Sequence, residues 1–110
     1  MEKIEVSTVH TLKKIISYAD GATVSKVVTK NKNGNTTLFA FDKGQGLSEH
    51  TAPFDAMVVI LEGLCRVTIA GDDHCLEEGQ MIIMPANVPH ALEAITSFKM
   101  LLIMIKDHVS

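Results

Sequence analysis

Short stretches of alternating polar and apolar residues, separated by turn-forming residues, run through most of this chain. In 64–69 the apolar Cys65, Val67 and Ile69 alternate with polar residues, which is the period-two pattern of a strand with one buried face. Turn signals recur about every 8 to 12 residues, as they do in β-sandwiches and barrels. With 110 residues and no Pro/Gly/Ser-rich linker, the chain is expected to form a single all-β domain.

The pattern predicts strands over 22–29, 36–42, 57–61, 64–69, a short stretch at 75–76, 81–84, 90–95 and 98–105. Residues 30–35 are expected to form a hairpin turn, 70–73 a second hairpin, and the stretch from 46 a loop leading into a buried strand. Only Thr8–Tyr18 is a candidate helix. Thr8 would be its N-cap, whereas the β-branched Val9, Ile15 and Ile16 oppose a helix, so both alternatives stay open.

The composition constrains the core, because the chain has four Phe, one Tyr and no Trp. Aliphatic and methionine side chains must therefore fill most of the interior. Glycines 63, 71 and 79 are expected at turns. The residues expected in the core are Val58, Ile60, Val67, Ile69, Ile82 and Leu102, with Met57, Met81, Met84, Met100 and Met104 as fillers.

Charge and hydropathy exclude several classes of function. A net charge of −3 and lysines scattered along the chain, all expected on the surface, predict no nucleic-acid partner. No apolar run approaches the roughly 18 residues of a membrane span. The first ten residues carry acidic residues and no apolar signal-peptide core, so a cytoplasmic location is expected. Cys65 and Cys75 are expected several positions out of register on a hairpin, as two reduced thiols.

Two sets of spaced residues resemble the motifs of the cupin family. The first is Gly44-x5-His50-x-Ala52-x3-Ala56-x6-Gly63, and the second is Gly79-x5-Pro85-x-Asn87-x2-His90-x3-Ala94. Six anchor positions of the motifs are kept: Gly44, His50, Gly63, Gly79, Pro85 and His90. Asn87 replaces a glycine, a mild change because Asn tolerates left-handed backbone. Ala52 and Ala56, in contrast, stand where cupins have a second His and a Glu.

The resemblance implies a jelly-roll β-barrel of the RmlC-like type, with motif 1 at about 44–63, motif 2 at about 79–94 and 1–21 as a flanking segment. It also implies a homodimer joined through sheet faces or edge strands. The continuous apolar run 100–105 agrees with a strand that is buried on both sides.

His50 and His90 are the two metal-ligand positions that match the family, and they are expected to face each other in the barrel mouth. Many cupins hold their metal with three His and one Glu, so two His imply at most one weakly held divalent transition metal such as Zn, Fe, Mn or Ni. Glu49, Asp55 and Glu93 point outward on strict alternation, although a bulge near Pro53 could redirect Asp55, which is otherwise expected as a turn residue. His10, His74 and His108 are expected in solvent.

Three functions remain open from the sequence. The first is a module that binds a small molecule through His50 and His90 with an apolar wall of Phe41, Leu47 and Met84. The alternative is a metal-dependent enzyme of the dioxygenase, isomerase or lyase type acting on a small polar substrate, so whether the chain is an enzyme stays open. The third is a barrel that serves interaction alone.

The alanines at the missing ligand positions leave two outcomes for the interior. Either an apolar cavity remains, or neighbours fill it. The candidate neighbours are Phe41, Leu47, Phe54 and Met84.

Overall fold

The computed structural model describes residues 4–106, and this part of the chain is almost entirely β-structure. The strands are β1 (Thr23–Asn31), β2 (Gly34–Phe41), β3 (Gly46–His50), β4 (Ala56–Glu62), β5 (Cys65–Ile69), β6 (Asp72–Leu76), β7 (Met81–Met84), β8 (His90–Ala94) and β9 (Phe98–Ile105). Seven of the predicted strands are present, either with the predicted ends or with shifted ones. The short stretch predicted at 75–76 is part of the longer strand β6. The segment 46–50, expected as loop, is strand β3.

Two antiparallel sheets pack face to face and enclose the core. The first sheet has the strand order β1-β2-β9-β4-β7, and the second has the order β3-β8-β5-β6. The last strand, β9, lies between β2 and β4 in the middle of the first sheet. The prediction of an all-β jelly-roll barrel is therefore confirmed.

The core lies between the inner faces of the two sheets. Phe41 is fully buried and stacks on Phe98 and Phe39, with ring centroids 4.7 and 5.6 Å apart. Of the predicted core residues, Val58, Ile60, Val67 and Leu102 are buried, while Ile69 and Ile82 are partly buried and pack against the cluster. Glycines 63, 71 and 79 all have positive φ and lie between strands, as expected.

The methionines divide between the core and the surface. Met84 and Met100 are buried, and Met104 packs against the core. Met57 and Met81 point to the outer face of the first sheet, because Met57 alternates with buried Ala56 and Val58 and pairs across to Ile83. The prediction that all five fill the core is wrong for these two.

The candidate helix at Thr8–Tyr18 is reduced to one 3-10 turn at Leu12–Lys14. Thr8 does not cap it, since its hydroxyl donates to the Val6 carbonyl at 3.1 Å. The segment instead lies against the outer face of the first sheet, where Ile16 is buried with Leu38 and Ala40. Burial of this apolar side chain replaces helical hydrogen bonding as the reason for its position.

Lys99, expected in solvent like the other lysines, is buried beneath this N-terminal segment. Its Nζ donates to the Lys13 carbonyl, lies 5.0 Å from the centre of the Tyr18 ring, and approaches a Glu62 carboxylate oxygen at 3.9 Å. The Tyr18 hydroxyl donates to the same Glu62 oxygen, Oε2, at 2.6 Å. Burial and the Glu62 charge raise the pKa of Tyr18 above its usual value.

Both hairpin turns are tighter than the sequence predicts. In the first, β1 continues to Asn31 and β2 begins at Gly34, because the Asn31 side chain accepts a bond from the Asn33 N–H at 2.7 Å and closes the turn within two residues. In the second, only residues 70–71 lie between the paired Ile69 and Asp72.

The two cysteines are one register position apart rather than several, since Cys65 pairs with Leu76 and Cys75 with Arg66. They therefore point to opposite faces, Cys65 inward and Cys75 to solvent, and both thiols are free as predicted. Burial raises the pKa of the Cys65 thiol to about 12. Over residues 4–106, the chain has no helix long and apolar enough to cross a membrane.

Candidate functional site

A bulge in β3 brings His50 opposite His90. Leu47 pairs with Leu92, whereas the next pair is His50 with His90, so β3 uses three steps where β8 uses two. With strict alternation, His50 would point away from the side that Leu47 faces. The extra residue restores the same side, so both imidazoles lie at one end of the second sheet.

The two imidazole rings are in direct contact. Their centroids are 4.4 Å apart and the rings are inclined at 69°. His90 is buried, with Ile69 of β5 as its partner on the other side, while His50 is exposed. One ring therefore forms the base of the site and the other its solvent edge.

Matching hydrogen bonds fix which tautomer each ring adopts when it is neutral. His50 Nδ1 lies 2.7 Å from the Ser48 carbonyl oxygen, and His90 Nδ1 lies 3.1 Å from the Val88 carbonyl oxygen. A carbonyl oxygen only accepts, so each Nδ1 must carry a proton and donate. In the neutral ring this leaves each Nε2 as a lone-pair acceptor.

Two loops that frame the histidines are tied to each other. The Asn87 N–H donates to the Ala52 carbonyl at 2.7 Å, and the Ala86 N–H donates to Asp55 Oδ1 at 2.8 Å. Asn87 has a φ of 63°, the left-handed backbone that the sequence predicts at this position. Asp55 therefore ties the two loops together, and its side chain is otherwise exposed.

The predicted apolar wall is dispersed through the interior. Leu47 lies one pair along β3 from the histidines and packs against the core, Met84 is buried beside Ala56, and Phe41 is stacked against Phe98. Ala56 has Met84 and Met104 as its neighbours across the sheet, so long side chains flank the position that lacks a ligand. A binding role for Phe41, Leu47 and Met84 stays a prediction.

The remaining candidate ligands lie away from the pair. Glu49 and Glu93 are exposed, and Glu93 forms an ion pair with Arg66 on the outer face of the second sheet. His74 is exposed as predicted, His10 is partly buried with its Nε2 2.9 Å from the Glu5 carbonyl, and His108 lies outside the described residues.

The donor set of the histidine pair is smaller than that of a typical bound metal. His50 and His90 contribute two nitrogens, and Ala52 and Ala56 contribute none. Within 4–106 no group of three or more His, Cys, Asp or Glu side chains could hold a metal ion. The residues present therefore do not fit a resident metal centre with three or four protein ligands.

Two features of the site were not predicted from the sequence. Ile69, expected only as core, is the apolar neighbour of His90, and the Ser48 and Val88 carbonyls set the tautomer of the neutral rings. The β5–β8 register would have identified Ile69, but it depends on hairpin turns that the sequence predicts too long. No side-chain signal marks a backbone carbonyl.

Comparison with known proteins places this geometry in a family. The model of the cupin domain matches residues 37–106. A conserved protein of unknown function from Streptococcus pyogenes is 37% identical, with a TM-score of 0.93, 98% of this chain covered and 95% of that one. A cupin 2 conserved barrel domain protein from Leptotrichia buccalis is also 37% identical, with a TM-score of 0.82 over 86% of this chain; the match spans 46% of that protein.

A cupin superfamily protein from Desulfitobacterium hafniense shares the fold, with a TM-score of 0.90 at 24% identity and coverage of 96% and 97%. No curated protein matches the chain. The matched residues include both histidines and both motifs. The unmatched residues 1–36 hold the N-terminal segment and most of the first hairpin. On these grounds the chain belongs to the cupin family.

Proposed function

We propose that this cupin binds a small molecule in the barrel mouth through His50 and His90. The observation that supports it is the pair of contacting rings whose Nδ1 protons both go to backbone carbonyls, at 2.7 and 3.1 Å. Within residues 4–106 no protein donor occupies either Nε2 lone pair, so both are available to a ligand. An acceptor pair of this kind is what a polar ligand needs for orientation.

The chemistry of the pair restricts the ligand. Neutral Nε2 atoms accept hydrogen bonds, so the favoured ligand carries hydroxyl or amino donors rather than a carboxylate. Ile69 and Leu47 flank the pair with apolar surface. We therefore favour a small neutral or cationic molecule with donors on one side and a hydrocarbon surface on the other.

A divalent transition metal is the second occupant that two Nε2 atoms admit. Zn, Fe, Mn or Ni would then complete its shell with water, and weak binding is expected because catalytic metals normally have three protein ligands. A metal-dependent dioxygenase, isomerase or lyase is the corresponding alternative function.

The binding proposal is tested with a panel of small polyols, sugars, amines and carboxylates, using thermal shifts followed by titration calorimetry. We expect a hydroxyl or amine compound to raise Tm and His50→Ala to remove that shift. His74→Ala is the matched control, since His74 is exposed on β6 away from the pair. Unchanged binding by a His50→Ala/His90→Ala double variant would contradict the proposal.

Two further measurements accompany this test. Titration of metal-free protein with Zn²⁺ or Ni²⁺ separates the metal alternative, because only that alternative predicts that added metal is needed for the compound to bind. We also propose a cytoplasmic location, which cell fractionation tests.

A further inference from the structure

The inner face of the first sheet carries a row of side chains at one end of the barrel. Asn35 of β2 pairs with Met104 of β9, which pairs on its other side with Ala56 of β4. Because Ala56 also pairs with Met84 of β7, the row from β2 to β7 has three apolar members and one polar member. That polar member, Asn35, has no part in the core.

The register places the Asn35 side chain on the inner face. β2 pairs with β9 without a bulge over 34–41, so its side chains alternate strictly between the two faces of the sheet. Phe39 packs against the core between the sheets, whereas Leu38 packs against the N-terminal segment on the outer face. Asn35 and Thr37 are even-numbered steps from Phe39, so both face the interior.

The path of the chain places Asn35 at the same end of the barrel as the histidine pair. The connection 42–45 leads from the far end of β2 into β3, which ends at His50. This connection exchanges backbone bonds of 3.0 and 2.8 Å with Ala94, at the end of β8 opposite His90. Asn35, His50 and His90 therefore all lie at the other end. Because the two sheets pack face to face, their polar side chains border the mouth from both sides.

A buried hydroxyl sets the orientation of the Asn35 amide. Thr37, which is buried in the next row, donates from Oγ1 to Asn35 Oδ1 at 3.1 Å. This bond holds the amide oxygen toward the interior and directs the Nδ2 hydrogens away from it. Asn35 is half-buried and lines a cleft of about 270 Å³ with Lys30 and Met104, so its Nδ2 is accessible to a small molecule.

We propose that Asn35 is a specificity-determining residue of the histidine site, and that the site takes a neutral polyhydroxylated molecule such as a polyol or sugar. This inference rests on the proposed binding function and narrows it. The imidazole Nε2 atoms accept hydrogen bonds and Asn35 Nδ2 donates them, so the ligand needs donors on one side and acceptors on the other. Hydroxyl groups do both, whereas a protonated amine only donates. Lys30, the partner of Asn35 on β1, adds a positive charge that disfavours a cation.

Three probes with the same three-carbon frame test this specificity: glycerol, its amine analogue serinol and its carboxylate analogue glycerate. In NMR titrations of the wild-type protein, we expect glycerol to shift the side-chain NH₂ resonance of Asn35 together with the ring resonances of both histidines. Serinol and glycerate should bind roughly three- to tenfold more weakly, because each replaces a hydroxyl that one wall of the site recognises.

Asn35→Asp should reverse the preference for glycerol over serinol, because its carboxylate accepts where the amide donates. We expect glycerol binding to weaken roughly three- to tenfold and serinol binding to strengthen. Asn33→Asp is the matched control, since it makes the same change of charge at an exposed turn position of the same hairpin. In physiological salt, which screens exposed charges, it should leave the preference for glycerol unchanged.

Thr37 is a positioning residue, and its effect should depend on Asn35. Thr37→Val removes the hydroxyl that holds the amide, so it should weaken glycerol binding in the wild type. In an Asn35→Ala background the same substitution should change nothing, whereas a merely structural role would weaken binding in both backgrounds. Thr37→Ser keeps the hydroxyl and should bind glycerol like the wild type.

The outcomes separate this inference from the function on which it rests. Shifts of the His50 and His90 resonances without a shift of Asn35 would overturn the role of Asn35 and leave the histidine site standing. Tighter binding of serinol or glycerate than of glycerol would overturn the neutral ligand class in the same way. If neither glycerol nor the sugars of the binding panel perturb the histidines, the proposed function and this inference both fail.

Discussion

At the scale of single residues, Gly63 is a position with little room for change. Its φ is 83°, and a Cβ there would lie 2.1 Å from the Ser97 carbonyl oxygen and 2.7 Å from the Phe98 Cβ. Both atoms belong to the start of β9 and its preceding turn, so backbone would have to move. We expect Gly63→Ala to lower the free energy of unfolding by more than about 3 kcal/mol.

Gly79→Ala separates the clash from the backbone strain. Gly79 has a φ of 86°, but a Cβ there would meet no atom within 4 Å. Its alanine variant should lose only the cost of left-handed backbone, about 1–2 kcal/mol. Urea denaturation of both variants provides the measurement, and equal losses would show that the contact with Ser97 and Phe98 is relieved by small shifts.

Asn87 and His50 show how far residue-level inference reaches. The left-handed backbone at Asn87 follows from its place in the second motif, because few other side chains tolerate that conformation, and the structure confirms it. The alignment of His50 depends on the bulge between Leu47 and His50. A bulge inserts a residue without a distinctive side chain, so the sequence does not locate the one between Leu47 and His50.

At the scale of elements, Asp42 ties together the ends of three strands. Its Oδ2 accepts from the Gly21 N–H at 2.7 Å, before β1, while its Oδ1 accepts from the Lys43 N–H after β2 and from the Ser97 hydroxyl before β9. These bonds, with the one to Gly21 the largest cause, hold the pKa of Asp42 below its usual range. The folded state therefore favours the carboxylate.

The consequence is a pH-dependent contribution to stability. Because the folded pKa is lowered, the contribution is complete above the ordinary Asp value of about 4 and is lost as the pH falls through the folded value. Asp42→Asn should lower Tm at pH 7, and its difference from the wild type should narrow below about pH 4. Asp72→Asn, at the exposed β5–β6 turn, is the control; a difference that stays constant with pH would contradict this account.

The elements themselves were predicted unevenly, for physical reasons. Strand β5 has a strong pattern because one face packs on the core, and β9 has a continuous apolar run because both of its faces are packed. In contrast, β3 has Ser48, Glu49 and His50 in exposed positions and carries little apolar signal. The N-terminal segment has local preferences for both helix and strand. Tertiary packing of Ile16 decides its conformation, and that packing is absent from local sequence.

At the scale of the whole molecule, the final strand completes the first sheet. β9 pairs with β2 on one side and β4 on the other, so the first hairpin and the middle of the chain join only through the last strand described. The jelly-roll arrangement was implied by the resemblance of the two motifs to those of the cupin family. The outward positions of Met57 and Met81 were not predicted, because period-two apolar patterns do not show which faces other segments cover.

Phe98 should control the stability of both sheets and of the N-terminal segment together. Its fully buried ring stacks on Phe41 in a core shared by the two sheets, and the adjacent Lys99 contacts Tyr18 on the opposite face. We expect Phe98→Ala to lower the free energy of unfolding by about 3–5 kcal/mol, and Phe39→Ala, which truncates a partly buried ring, to lower it less.

Tyr18 is the only tyrosine in a chain without tryptophan, so its fluorescence reports the N-terminal segment while far-ultraviolet circular dichroism reports the barrel. At a fixed protein concentration, the two urea transitions should coincide in the wild type and shift together in Phe98→Ala. A tyrosine transition at lower urea would contradict this cooperativity and make the N-terminal segment a separately unfolding unit.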